Sequence, residues 1–121
     1  MKRSMDIIRT LLMEVERYPD WPAGECLIPE DAETRYHLHL LIQAGLVEGK
    51  ELHVLGGPPR FLIDGLTWNG QEFLALASDN GRWDRLKAMA SERLATLPFD
   101  VITRLLAMLA ERSIEGLLKS S

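Results

Sequence analysis

The block Gly56-Gly57-Pro58-Pro59 constrains this chain more than any other four residues. Neither glycine favours a helix interior and neither proline can donate a ladder hydrogen bond, so the chain must turn there. On either side, Leu46 to Val54 and Arg60 to Leu66 suit extended backbone. The pattern predicts two strands joined as a hairpin, with the block at its tip. Gly49 and Gly65 mark bulges or bends within those strands.

The rest of the chain reads as helices around this hairpin. Ile8, Leu11, Leu12 and Val15 form one apolar face, predicting a helix from Ser4 to Tyr18. Ser4 suits the N-cap, Asp6 suits the first turn, and Pro19 stops the helix. A loop over 20–24 leads to a brief strand, Glu25 to Ile28, cut short by Pro29. A second helix spans Glu30 to Ala44, with an acidic first turn and Gly45 as its terminating residue. After the hairpin, Thr67 caps a helix from Trp68 to Ala77, with Phe73 and Leu74 facing inward. Ser78 to Gly81 break the pattern. A fourth helix, Arg82 to Ala95, carries Trp83, Leu86, Ala90 and Leu94 on one face. Pro98 opens a fifth helix running to Lys119, with Val101, Ile102, Leu105 and Leu109 apolar. Only Ser120 and Ser121 read as a free tail. The fold class is α+β: a core over residues 1–77 and a helical extension over 78–121.

Helix, short strand, helix and hairpin, in that order, resemble a winged helix-turn-helix. The string from His37 to Val47 has the form H-L-x-x-L-x-x-A-G-L-V and resembles the recognition-helix end of arsenic-repressor-type winged helices. In it Leu38 and Leu41 face the core, Gly45 permits a left-handed turn, and Leu46-Val47 begin the wing. Leu66-Thr67-Trp68-Asn69-Gly70-Gln71-Glu72-Phe73-Leu74 is similar to the L-T-x-x-G-x-x-F-L that follows many wings. More specifically, the spaced motifs Met1-Lys2-Arg3-x-Met5-Asp6-x-Ile8-Arg9, Tyr36-His37, Ala44-Gly45-Leu46, Leu66-Thr67-Trp68 and Trp83 resemble a family of small bacterial and prophage proteins, DUF2513. The resemblance implies a winged-helix-like fold in a phage or mobile-element setting. It assigns no activity and no functional residues.

Composition narrows the partner classes. The 121 residues are 46% apolar and 26% charged, the balance of one globular domain. The net charge of −4 is concentrated: residues 19–36 hold five acidic residues against Arg35 alone. Phosphate contacts dominate DNA affinity, so acid at the doorstep of the reading helix opposes the usual docking. Pro29 to Arg35 also leave no room for a separate positioning helix before that helix. If DNA is bound, the candidate phosphate contacts are Lys2, Arg3 and Arg9 at the amino terminus and Lys50 and Arg60 beside the wing tip. Their alternative is scattered solvated charge. The candidate recognition face is Arg35, Tyr36, His39 and Gln43.

A protein partner is the competing expectation. Tyr36, Leu40 and Ala44 form a stripe opposite the core face. It is either a partner surface or core covered by the last helices, and the covered reading is favoured. The fifth helix can serve as a homodimer element or pack on its own domain. An enzyme is not expected, and neither is a cofactor, a metal or a small-molecule ligand. His37 and His39, two apart on a helix, point in different directions and read as a solvent-facing pair. His53 has no ligand-spaced partner, and Gly56-Gly57 lacks the lysine and helix of a phosphate loop. The lone Cys26 reads as filler and suits a reducing, cytoplasmic compartment. No apolar run reaches membrane-span length, and no h-region follows the basic start. Trp68 and Trp83 are expected to anchor their helices, and Trp21 to be partly buried.

Overall fold

The computed structural model describes residues 1–17 and 27–119, and for residues 115–119 the backbone alone. The expectations for Pro19, the 20–24 loop, Trp21, Cys26, the start of the brief strand and the terminal serines lie outside these residues. Among the described residues the fold is α+β, with five α-helices and one two-stranded antiparallel hairpin. The chain divides into two compact units, Met1–Glu72 and Phe73–Ser121.

In the first unit, α1 (Met5–Arg17) buries Met5, Ile8, Leu12 and Val15, a face of helical period. Leu11 lies at its flank, half-buried. Helix α2 (Ala32–Gln43) starts two residues later than the sequence suggests. Asp31 has extended backbone and accepts a hydrogen bond from the Thr34 N–H at 3.1 Å, so it is the cap rather than the first turn. At the other end Gly45 has φ +74°. Its N–H donates to the Ile42 carbonyl, and the Leu46 N–H donates to the Leu41 carbonyl, a Schellman closure.

Strands β1 (Val47–Leu52) and β2 (Arg60–Leu66) pair antiparallel, Lys50 opposite Leu62 and Leu52 opposite Arg60. Glu48 pairs with Gly65 but Gly49 with Ile63, so Asp64 is the extra residue of a bulge. Gly49 is required there, because a Cβ would strike the Leu62 carbonyl oxygen. Phe61 and Ile63 point inward and are buried. The expected short strand is reduced, within the described residues, to one antiparallel bridge between Leu27 and Phe61, closed by hydrogen bonds of 2.7 and 2.9 Å.

Helix α3 (Trp68–Ala77) begins against the end of α2. The Thr67 hydroxyl donates to the Gly45 carbonyl at 2.6 Å and accepts from the Gly70 N–H at 3.0 Å, and the Thr67 N–H donates to the Leu46 carbonyl. Gly70 passes so close to Leu46 that a Cβ would meet its carbonyl oxygen. The two glycine-bearing strings are therefore the halves of one junction at the neck of the hairpin. Trp68 does not anchor the helix as expected. It is 74% exposed, and its indole N–H donates to Glu72 one turn on, leaving Phe73 and Leu74 to carry the buried face.

In the second unit, α4 (Asn80–Ala90) is capped by Asp79, whose carboxylate accepts from the Arg82 N–H at 2.8 Å. The fourth helix does not run unbroken to Ala95. Ser91 takes φ +51°, which interrupts the α-helical bonding, and Ser91–Ala95 form a 3-10 turn. Trp83, Leu86, Ala90 and Leu94 are nevertheless all buried. Helix α5 (Phe99–Lys119) buries Ile102, Leu106 and Leu109, while Val101 and Leu105 are half-buried. The Phe73 and Phe99 rings pack at 4.7 Å. Among the described residues, no helix is long and apolar enough to cross a membrane.

Candidate interaction site

The candidate residues fall on α2, on the hairpin, and at the amino terminus with α1. Along α2 the polar groups are held by the protein itself. Arg35 donates to the Pro29 and Glu30 carbonyls at 2.8 and 3.1 Å, folding back over the segment before the helix. His39 Nδ1 lies 2.6 Å from Glu51 Oε2 on β1, and His53 Nε2 lies 3.6 Å from the other oxygen. Gln43 is exposed. Met1, Ala32, Arg35, Tyr36, His39 and Glu51 line a shallow groove of about 480 Å³. The Asp31 carboxyl, at the start of α2, is held below its ordinary value by hydrogen bonds from the Thr34 side chain and backbone N–H.

His37 departs from expectation. It is not the solvent-side half of a histidine pair but is fully buried. Its Nε2 accepts the Ser4 N–H at 2.8 Å, so Nδ1 carries the proton and donates to the Glu33 carbonyl at 2.8 Å. The Tyr36 ring stands edge-on to it at 5.2 Å. The stripe expected to be covered is only partly so: Tyr36 and Leu40 are half-buried and Ala44 is exposed.

The five candidate phosphate contacts separate. Arg3 and Arg9 are half-buried and engaged within the chain. Lys2, Lys50 and Arg60 are exposed. The register sets Lys50 and Arg60 diagonally on the outward face of the hairpin, opposite to buried Phe61 and Ile63.

That face is also apolar, which the sequence reading did not anticipate. Ile28 is 48% exposed, Leu52 38%, Val54 39% and Leu55 fully. Leu27 pairs with Phe61 and Arg60 with Leu52, so Ile28, Arg60 and Leu52 take neighbouring register positions across the sheet. The signal in the sequence is slight: Val54 and Leu55 lie past the last paired position, short of the tip. Among the described residues, no group of three His, Cys, Asp or Glu is arranged to hold a metal ion.

Comparison with known proteins places the chain among relatives of the same kind. A Haemophilus influenzae protein described as uncharacterized is 32% identical over 108 residues, which cover 84% of this chain and 89% of the relative. No solved structure matches. The family described as Hypothetical protein (DUF2513) matches residues 2–96, from the amino terminus through the 3-10 turn, and the chain belongs to that family.

Proposed function

We propose that this is a non-enzymatic adaptor of bacterial or prophage origin, acting in the cytoplasm. Its first unit, in this reading, is a winged helix that docks a protein partner through the hairpin. One observation carries it: Ile28, Leu52, Val54 and Leu55 are exposed around the outer end of the hairpin. Clustered apolar surface at a strand end invites association, and monomeric proteins keep such patches small. The alternative docking face, α2, supports DNA poorly. Arg35 is folded back onto the Pro29 and Glu30 carbonyls through Nη1, and His39 is held by Glu51, so His39 reaches a phosphate only by breaking an internal contact. The test is a photo-crosslinking residue at position 55, with the exposed Glu16 of α1 as the control site. A discrete adduct from position 55 that is absent from position 16 supports the adaptor. Equal or absent labelling at both sites overturns it.

A second reading, DNA binding through the wing, is supported by exposed Lys50 and Arg60 on one face. It predicts binding in an anisotropy titration with promoter DNA at low salt, where the phosphate term is largest. The Lys50→Ala, Arg60→Ala pair should then weaken binding to all sequences alike and lower the salt slope by about 2. No binding at low salt removes this reading.

A further inference from the structure

We propose that the second unit binds a small oxyanion, phosphate or carboxylate, in the groove of α4 and α5 lined by Arg82 and Arg85. The groove has a volume of about 290 Å³, and Asp79, Gly81, Leu109 and Ser113 complete its lining. Arg82 and Arg85 are three apart on α4 and so share a face. The Arg82 guanidinium is fixed, because its Nη1 donates to the Leu76 carbonyl at 2.8 Å. That bond uses one corner of the group and leaves the Nε–Nη2 edge, the fork that takes an oxyanion through two parallel hydrogen bonds. Nε is fully buried and has no acceptor among the described residues. A buried donor without a partner is a standing penalty, and an oxyanion seated against that edge removes it.

The charges in the groove favour an anion without being uniform. Two guanidinium groups face one carboxylate, Asp79, whose oxygen is already engaged by the Arg82 N–H at the start of α4. The Ser113 hydroxyl donates to the Leu109 carbonyl and keeps its lone pairs, so it adds no donor to the ligand. Arginine supplies the recognition, which suits either oxyanion.

NMR tests this directly, through the resonance of the Arg82 Nε–H. Inorganic phosphate and acetate are titrated into separate samples of the full chain, with ionic strength held constant by chloride. The expected result is a saturable shift of that resonance. A shift with phosphate alone assigns the phosphate class, and a shift with both assigns a general oxyanion site. Arg85→Ala, an exposed position, is expected to weaken the affinity about tenfold, the loss of one charge-assisted contact. Arg93→Ala, outside the groove, is expected to leave it unchanged. An Nε–H resonance that moves with neither anion overturns the proposal. So does equal weakening by Arg93→Ala, which would mean diffuse charge rather than a site.

Discussion

His37 shows how one side chain can fix where a helix begins. It sits on α2, yet its ring caps the amino end of α1 by accepting the Ser4 N–H. Replacing it with leucine keeps the bulk and leaves that N–H unpaired, while the Glu33 carbonyl keeps its helical bond within α2. We expect His37→Leu to cost about 1–3 kcal/mol in urea denaturation. The sequence marks His37 as a polar residue beside core positions, but nothing local reveals that a partner 33 positions away will reach it. Gly70 is the opposite case, since its place in the string after Thr67 is plain in the sequence. Ala is the better helix former by up to about 1 kcal/mol. A Cβ at residue 70 nevertheless meets backbone, which cannot swing away. Overpacking wins, and Gly70→Ala should destabilise by about 1–3 kcal/mol in the same assay. Asp31 gives a pH signature. Its carboxyl is held below the ordinary 3.8, so the folded state binds the proton less readily than the unfolded one. Its contribution is complete above 3.8 and is lost as pH falls through the lowered value. The stability difference between wild type and Asp31→Ala should therefore shrink on acidification through that range, as chemical denaturation at stepped pH would show.

Among the elements, helices and strands follow their apolar spacing closely, and the departures lie where backbone geometry overrides it. Residues 91–95 contain Glu92, Arg93, Leu94 and Ala95, all compatible with an α-helix, and the inward spacing through Leu94 is intact. Ser91 alone leaves the helical region, with φ +51° and ψ −131°. Such a conformation costs a residue with a Cβ about 1–3 kcal/mol, whereas the extra freedom of glycine in the unfolded chain costs about 0.4–1 kcal/mol. Ser91→Gly is therefore expected to stabilise the protein by about 1 kcal/mol, read as a rise in the thermal midpoint. Serine carries no such conformational signature, so this break was not legible. The hairpin bulge was, because Gly49 and Gly65 bracket it. The short strand was legible in place, and its described part is the bridge at Leu27.

For the whole molecule, class and element order could be read from residue spacing, but the character of the surface could not. Charge counting disfavours α2 as a phosphate-binding face, but it does not show that Glu51 reaches His39 or that Arg35 folds back. Those contacts join residues from different elements. Surface apolarity is equally invisible to a pattern that assigns every leucine of a strand to a core. Leu55 makes the point testable, because a fully exposed side chain contributes little to stability. We expect Leu55→Asp to change unfolding free energy by no more than about 0.5 kcal/mol. In the Leu55→Asp chain, with the photo-crosslinker moved to the neighbouring exposed Val54, we expect the adduct to disappear. Clamped at its neck by Thr67, the hairpin can also be lengthened at Gly56-Gly57 without loosening the junction below. Each doubling of a loop adds only about 0.6 kcal/mol of closure entropy. The tip is thus a natural port for an inserted reporter peptide: one that blankets the apolar end of the hairpin while the protein beneath keeps its shape.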